Sequence, residues 1–170
     1  AGDGALLAEF ANQKRLFVPV EAIPPHLIHA FLSAEDSGFY QHFGIDPQAM
    51  LRAVITNAKN YGQGRRPIGA STITQQVTKN FLLTNEVSLE RKIKEAILSL
   101  RMERAFSKDQ ILELYLNEIY LGYGSYGVAA AALNYFDKAL DQLSLAEVAY
   151  LAALPKAPSN YHPIRKTKAA

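Results

Sequence analysis

From Pro24 to Asp36 the chain reads Pro-Pro-His-Leu-Ile-His-Ala-Phe-Leu-Ser-Ala-Glu-Asp, and the reading of this stretch sets the fold. Proline is tolerated at the start of a helix, where its missing amide costs nothing. Beyond it Leu27, Ile28, Phe31 and Leu32 fall at helical spacing on one face, which predicts a helix over about 26–36. The pattern then stays helical. Asp46-Pro47 supplies a cap followed by a first-turn proline and opens a helix to about Lys59. Further helices are expected from near Ser71 and near Ser88. Ser107 with Gln110, and Ser144 with Glu147, are capping-box patterns that open two more. Gly122 reads as a helix stop, Pro155 follows the last helix, and Ala129 to Ala132 suit a helix packed closely on a neighbour. Before Pro24, the apolar runs 5–10 and 15–20 flank Asn12-Gln13-Lys14 and read as a small hairpin, with Pro19 marking its second strand as an edge. The expected fold is mainly α, a single domain over 1–170 with a small N-terminal β-hairpin.

Composition narrows the function classes. The chain is 49% hydrophobic and 20% charged with no low-complexity tract, which excludes disorder. A net charge of +2 without a dense basic stripe argues against nucleic acid as a partner. With no cysteine, disulfides, thiolate zinc sites and a cysteine nucleophile are all excluded. No run of about 18 apolar residues predicts a membrane span, and no leader pattern opens the sequence. The polar tail from Arg165 and the abrupt start read as a fragment of something longer.

Glu35 is the first candidate for chemistry. It follows Phe31 by four residues and Ile28 by seven, so its carboxylate shares the apolar face at the C-terminal end of a helix. Partial desolvation and the negative end of the helix dipole both make it a better base near neutral pH. A glutamate that snorkels at a helix end fits the same pattern. His42 sits among aromatic residues, where a packed, hydrogen-bonded core histidine is the simpler reading. His26, His29, His42 and His162 show no metal-ligand spacing.

On the helix after Ser71, Thr72, Gln75, Gln76 and Lys79 recur at i, i+3, i+4 and i+7, opposite an apolar stripe of Ile73, Val77 and Phe81. Thr and Gln supply oriented hydrogen bonds, as a sugar or phosphate wall requires, although a plain polar surface would look the same. Ser71 and Thr72 stand at the helix N-terminus, where free amides favour an anion. On the next helix Arg91, Lys92, Lys94 and Glu95 cluster beside Ile93, Ile97 and Leu100. Arg91 and Glu95 at i, i+4 read as a surface ion pair by default; together with the Gln/Lys face, the cluster also suits the cationic wall of a pyrophosphate site.

Several blocks, in order, resemble the peptidoglycan glycosyltransferases (glycosyltransferase family 51). Glu35-Asp36-Ser37-Gly38-Phe39-Tyr40-Gln41-His42-Phe43-Gly44 looks like the family's E-D-x-x-F-x-x-H-x-G signature. Gly69 through Asn80 is similar to G-x-S-T-x-T-Q-Q-x-x-K-N, Arg91 to Glu95 matches R-K-x-x-E, and Lys108 to Asn117 matches the helical motif that follows. A looser block runs from Gly124 to Lys138, and Leu154-Pro155-Lys156-Ala157-Pro158 resembles the bifunctional class A penicillin-binding proteins. One departure is Gly38, where many members carry a basic residue.

The resemblance implies a lysozyme-like, two-lobed helical fold whose smaller lobe touches the membrane. It implies polymerisation of lipid II into β-1,4-linked glycan on the outer, periplasmic face of the bacterial cytoplasmic membrane. The parent protein would be anchored by a transmembrane helix and carry a transpeptidase domain, both outside this fragment. Glu35 would be the base and Glu95 a second catalytic carboxylate. Asp36, Phe39, His42, Ser71, Thr72, Gln75, Gln76, Lys79, Asn80, Arg91 and Lys92 would bind substrate. Glu95 is also the candidate ligand for a divalent cation (Mg²⁺ or Mn²⁺) on the pyrophosphate, with no organic cofactor. The expected partners are lipid II, the growing glycan strand, the membrane surface and a phosphoglycolipid inhibitor of the moenomycin type. Loop 60–69, with Arg65 and Arg66, is a candidate membrane-facing flap. The rival readings are a lysozyme-like hydrolase and a helical module that only binds a partner.

Overall fold

The computed structural model describes residues 14–64, 67–82 and 88–156. In chain order these form β1 (Lys14–Arg15), α1 (Pro25–Glu35), α2 (Pro47–Lys59), α3 (Ile73–Leu82), α4 (Leu89–Ala105), α5 (Lys108–Glu118), β2 (Ser125–Tyr126), α6 (Val128–Phe136) and α7 (Leu145–Ala153), with short 3₁₀ turns at Val20–Ala22, Leu140–Gln142 and Leu154–Lys156. No described helix is long and apolar enough to cross a membrane. The chain divides into two compact units, residues 19–116 and residues 1–18 with 117–170.

Capping signals place most helix starts. Asp46 accepts the Ala49 amide at 2.8 Å above Pro47, and Ser88 accepts the Arg91 amide. Ser107 and Gln110 close a reciprocal pair at 2.8 and 3.2 Å, and Ser144 and Glu147 form a second. Each such cap is worth about 1 kcal/mol. Gly122 is not where α5 stops, because the helix ends at Glu118 and Gly122 lies in the turn beyond it with a φ of +88°.

In the unit 19–116, Leu27 and Phe31 of α1, Ile73 and Val77 of α3, and Ile111, Leu112, Tyr115 and Leu116 of α5 are buried in one core. Phe31 and Tyr115 meet edge to face at 6.3 Å. Each such side chain contributes roughly 1.5–3 kcal/mol by leaving water. α2 buries nothing fully, and Met50, Leu51, Val54 and Ile55 on it are exposed. On α4 the fully buried residues are Glu95 and Ser99, while Ile93, Ile97 and Leu100 lie in solvent.

In the other unit, α6 buries Val128 and Ala130 to Ala132, and α7 buries Val148, Leu151 and Ala152. β1 pairs in parallel with β2, Lys14 against Ser125 and Arg15 against Tyr126. Gly127 joins β2 to α6 at a φ of +82°, and a Cβ there would stand 2.5 Å from the Asn117 carbonyl, so only glycine fits. The first arm of the expected N-terminal hairpin, 5–10, lies outside the described residues, as do Arg65 and Arg66. Of the second arm, 15–20, only Arg15 is strand, together with Lys14 from the expected turn. The C-terminal end of loop 60–69 is tied back to α2, because Asn57 exchanges two hydrogen bonds with the backbone of Ile68 at 2.7 and 3.0 Å.

Candidate active site

The site lies wholly within residues 19–116 and starts where α1 stops. Glu35 is the last residue of α1, half-buried, one turn past Phe31. Asp36 leaves the helix and turns its carboxylate inward, where it accepts the Ile73 amide at 2.9 Å and two contacts from His42 Nε2 at 3.0 Å. A carboxylate on the first amide of α3 satisfies a donor that the helix cannot and complements its dipole. His42 Nδ1 accepts the Gly44 amide at 3.1 Å, so these contacts assign the ring proton to Nε2, facing Asp36. Thr72 Oγ1 donates to the Gly44 carbonyl at 2.7 Å, and Thr72 and Gln75 cap α3 reciprocally at 3.0 and 3.1 Å. Gly44 has a φ of +89°, and a Cβ there would sit 2.8 Å from the Ser99 carbonyl of α4. The segment Asp36–Gly44 is thereby clamped between α1, α3 and α4.

This clamp sets Gln76. One residue past the cap, its Nε2 donates to Glu35 Oε2 at 2.8 Å. Lys79 lies three residues on, about 4.5 Å further along the same face, and is exposed together with Asn80. Neither side chain makes a hydrogen bond or ion pair among the described residues. Ser71, just before the cap, receives Lys92 Nζ at 3.1 Å, and Lys92 is also ion-paired with Glu95. The partner of Glu95 is therefore Lys92 and not Arg91, whose Nε is buried without a partner among the described residues.

The sequence-derived candidates fall into two groups. Glu35, Ser71, Gln76, Lys79, Asn80 and Lys92 present polar groups that are at least partly accessible, with Arg91 half-buried. Asp36, Phe39, His42, Thr72, Gln75 and Glu95 are buried and engaged with their own chain, and they brace the others. Phe39 is 1% exposed and carries Lys108 Nζ over its ring at 4.3 Å. That lysine and Thr74 both bond Glu103, at 2.7 and 2.6 Å, so a buried carboxylate ties α3 and the start of α5 to α4. Glu103, Lys108 and Thr74 had no distinguishing sequence signal beyond lying in or beside the quoted motifs. Arg52 was missed for a plainer reason, since it sits on an otherwise ordinary amphipathic helix. It helps line a cavity of about 90 Å³ with Glu35, Asp36, Asp46, Ser71 and Thr72. Such a volume admits a few waters. Asp46 is committed to the Ala49 amide and to Arg52 at 3.7 Å.

No group of three or more His, Asp or Glu among the described residues is arranged to hold a metal ion, and the Glu95 carboxylate is already engaged by Lys92. The donor set does not fit a protein-built metal site.

Comparison with known proteins gives a consistent picture. Residues 3–170 match the family described as Transglycosylase. The chain is 60% identical over 163 residues to penicillin-binding protein 1A of Rickettsia felis, covering 96% of this chain and 21% of that protein. It is 49% identical to penicillin-binding protein 1A of Escherichia coli, covering 96% and 19%. Among solved structures, penicillin-binding protein 1A from Haemophilus influenzae matches 98% of this chain and 15% of its own, at 32% identity and a TM-score of 0.52. The chain thus spans about a fifth of the length of these relatives.

Proposed function

The chain belongs to the Transglycosylase family, and we propose that it polymerises lipid II into β-1,4-linked peptidoglycan strands, releasing undecaprenyl pyrophosphate. The observation that carries this reading is the Glu35 carboxylate, half-buried at a helix end and held on one oxygen by Gln76, in a cavity also lined by Arg52 and by Ser71, which receives Lys92. Glu35 takes the proton from the 4-hydroxyl of the acceptor N-acetylglucosamine. That oxygen attacks C1 of the donor N-acetylmuramic acid, the C1–pyrophosphate bond breaks, and the configuration inverts. The leaving group departs as an anion, so the site needs charge balance and no second acid. Lys79, Arg91, Lys92 and Arg52 supply that balance, with Ser71, Gln76 and Asn80 orienting sugar or phosphate. Glu95 sets the position of Lys92.

A hydrolase reading fares worse. Glycosidases need a second, working carboxyl group beside the first. The other carboxylates of the cavity are occupied, Asp36 by His42 and the Ile73 amide, Asp46 by the Ala49 amide and Arg52.

Exposed apolar side chains on α2 and α4, Leu51 and Val54 at 62% and 66% among them, support a membrane surface as the partner of this unit. The proposed setting is the outer face of the cytoplasmic membrane, within a longer anchored protein of the penicillin-binding type that this chain enters as its glycosyltransferase domain. A moenomycin-type phosphoglycolipid, which carries a sugar, a phosphate and a lipid, is the expected inhibitor.

The deciding experiment is glycan assembly from lipid II by the purified chain and by Glu35→Gln. The variant should lose about 10²–10⁴-fold in kcat with its melting temperature intact. A folded Glu35→Gln chain that polymerises at the wild-type rate defeats the mechanism.

A further inference from the structure

Tyr115 of α5 is 1% exposed, and its hydroxyl is buried without a hydrogen-bond partner among the described residues. An orphaned buried hydroxyl is costly, and a phenylalanine would fill the same space without that cost. The Tyr115 ring packs edge-on against Phe31, one helical turn before Glu35. Burial raises the hydroxyl's titration well above its ordinary value, and the charges of Glu35 and then Asp36 add to the rise, so both carboxylates bear on it. The acceptors differ in availability. Asp36 is filled by His42 and the Ile73 amide, whereas Glu35, among the described residues, spends only Oε2, on Gln76.

We infer that Tyr115 is a positioning residue for Glu35, its hydroxyl bonding the Glu35 carboxyl group in the working site. A hydroxyl is suited to this task because it both donates and accepts. It donates to the carboxylate before proton transfer and accepts from the carboxylic acid afterwards. Gln76 Nε2 can only donate, so it serves the first state alone. No bond is made or broken at Tyr115, and no proton is lost from it. The inference rests on the proposed role of Glu35 as base.

Tyr115→Phe tests it, because structural and positioning roles predict opposite combinations. The variant is expected to keep or raise its melting temperature while kcat on lipid II falls about tenfold, with KM within about twofold of wild type. A second readout needs no lipid II. The ¹³Cζ resonance of Tyr115 reports the bonding of its hydroxyl and is expected to move in Glu35→Gln. An unchanged kcat in Tyr115→Phe overturns the inference, as does a fall in kcat that only tracks a lowered melting temperature. A ¹³Cζ resonance indifferent to Glu35→Gln overturns it equally. If the wild-type chain fails to polymerise lipid II, the functional reading falls, and the resonance alone decides whether Tyr115 serves Glu35.

Discussion

Helices α6 and α7 bury valine, leucine and alanine, whereas α3 and α4 bury Thr74, Gln75, Thr78, Glu95 and Ser99 beside Ile73 and Val77 and leave Ile93, Ile97 and Leu100 in solvent. The first pair is arranged as hydrophobic burial alone would arrange it. The second is nearly its reverse. Its interior is a chain of hydrogen bonds, Thr78 sharing one with Ser99 at 2.9 Å and Ser99 donating to the Glu95 carbonyl at 2.7 Å. Satisfied networks of this kind add little net stability and hold groups in fixed geometry. The difference teaches that α6 and α7 supply stability, while α3 and α4 trade it for an oriented polar wall on one side and an apolar surface on the other.

Four substitutions probe that contrast. The largest effect belongs to the conventional core: Leu151→Ala in α7 should cost about 2–5 kcal/mol, read as a lowered urea midpoint. A cost below 1 kcal/mol would break the comparison. In the polar interior, Thr78→Val should cost about 1 kcal/mol, and adding Ser99→Ala should recover part of it, since removing both partners leaves fewer orphaned groups. If the double variant is less stable than the sum of the singles, the network contributes more than orientation. On the exposed stripe, Ile97→Ser should change stability by less than about 0.5 kcal/mol. Its binding to anionic vesicles, measured by sedimentation, should nonetheless weaken several-fold; unchanged binding would remove the stripe from the membrane face.

The smallest effect is electrostatic and lies with the stability-bearing pair. Glu147 caps α7, and its carboxyl is lowered to about 2, chiefly by hydrogen bonding from Lys138 and then by the Ser144 amide. A depressed folded value means that its contribution is fully present above the ordinary 4.5 and is lost as pH falls toward about 2. Lys138→Ala should bring the Glu147 titration, followed by carboxyl NMR, part of the way back up. A titration that stays put would assign the shift to the cap alone.

Local signals were the legible part of this fold. Asp46-Pro47, Ser88, Ser107 with Gln110 and Ser144 with Glu147 each mark a helix start through groups a few residues apart, and each appears as read. Periodicity found the stripe on α4 but carries no information on which side faces solvent. That is decided by neighbours distant in sequence, as is the parallel pairing of Lys14–Arg15 with Ser125–Tyr126 across more than a hundred residues. The site divides in the same way. Glu35 at a helix end and the Gln/Lys recurrence on α3 were visible. The choice of Lys92 over Arg91 as partner of Glu95 depends on rotamers, and the Thr74–Glu103–Lys108 tie joins three helices that no spacing rule connects.

Asp36 has a further consequence, in the language of motion. It is covalently next to Glu35 and hydrogen-bonded to the first amide of α3, the helix that carries Gln76. The path from Glu35 through Asp36 and Ile73 to Gln76 and back is a closed ring of short, stiff links. These links couple the end of α1 to α3, so a displacement of α3 is transmitted to Glu35 as well as to its amide partner Gln76.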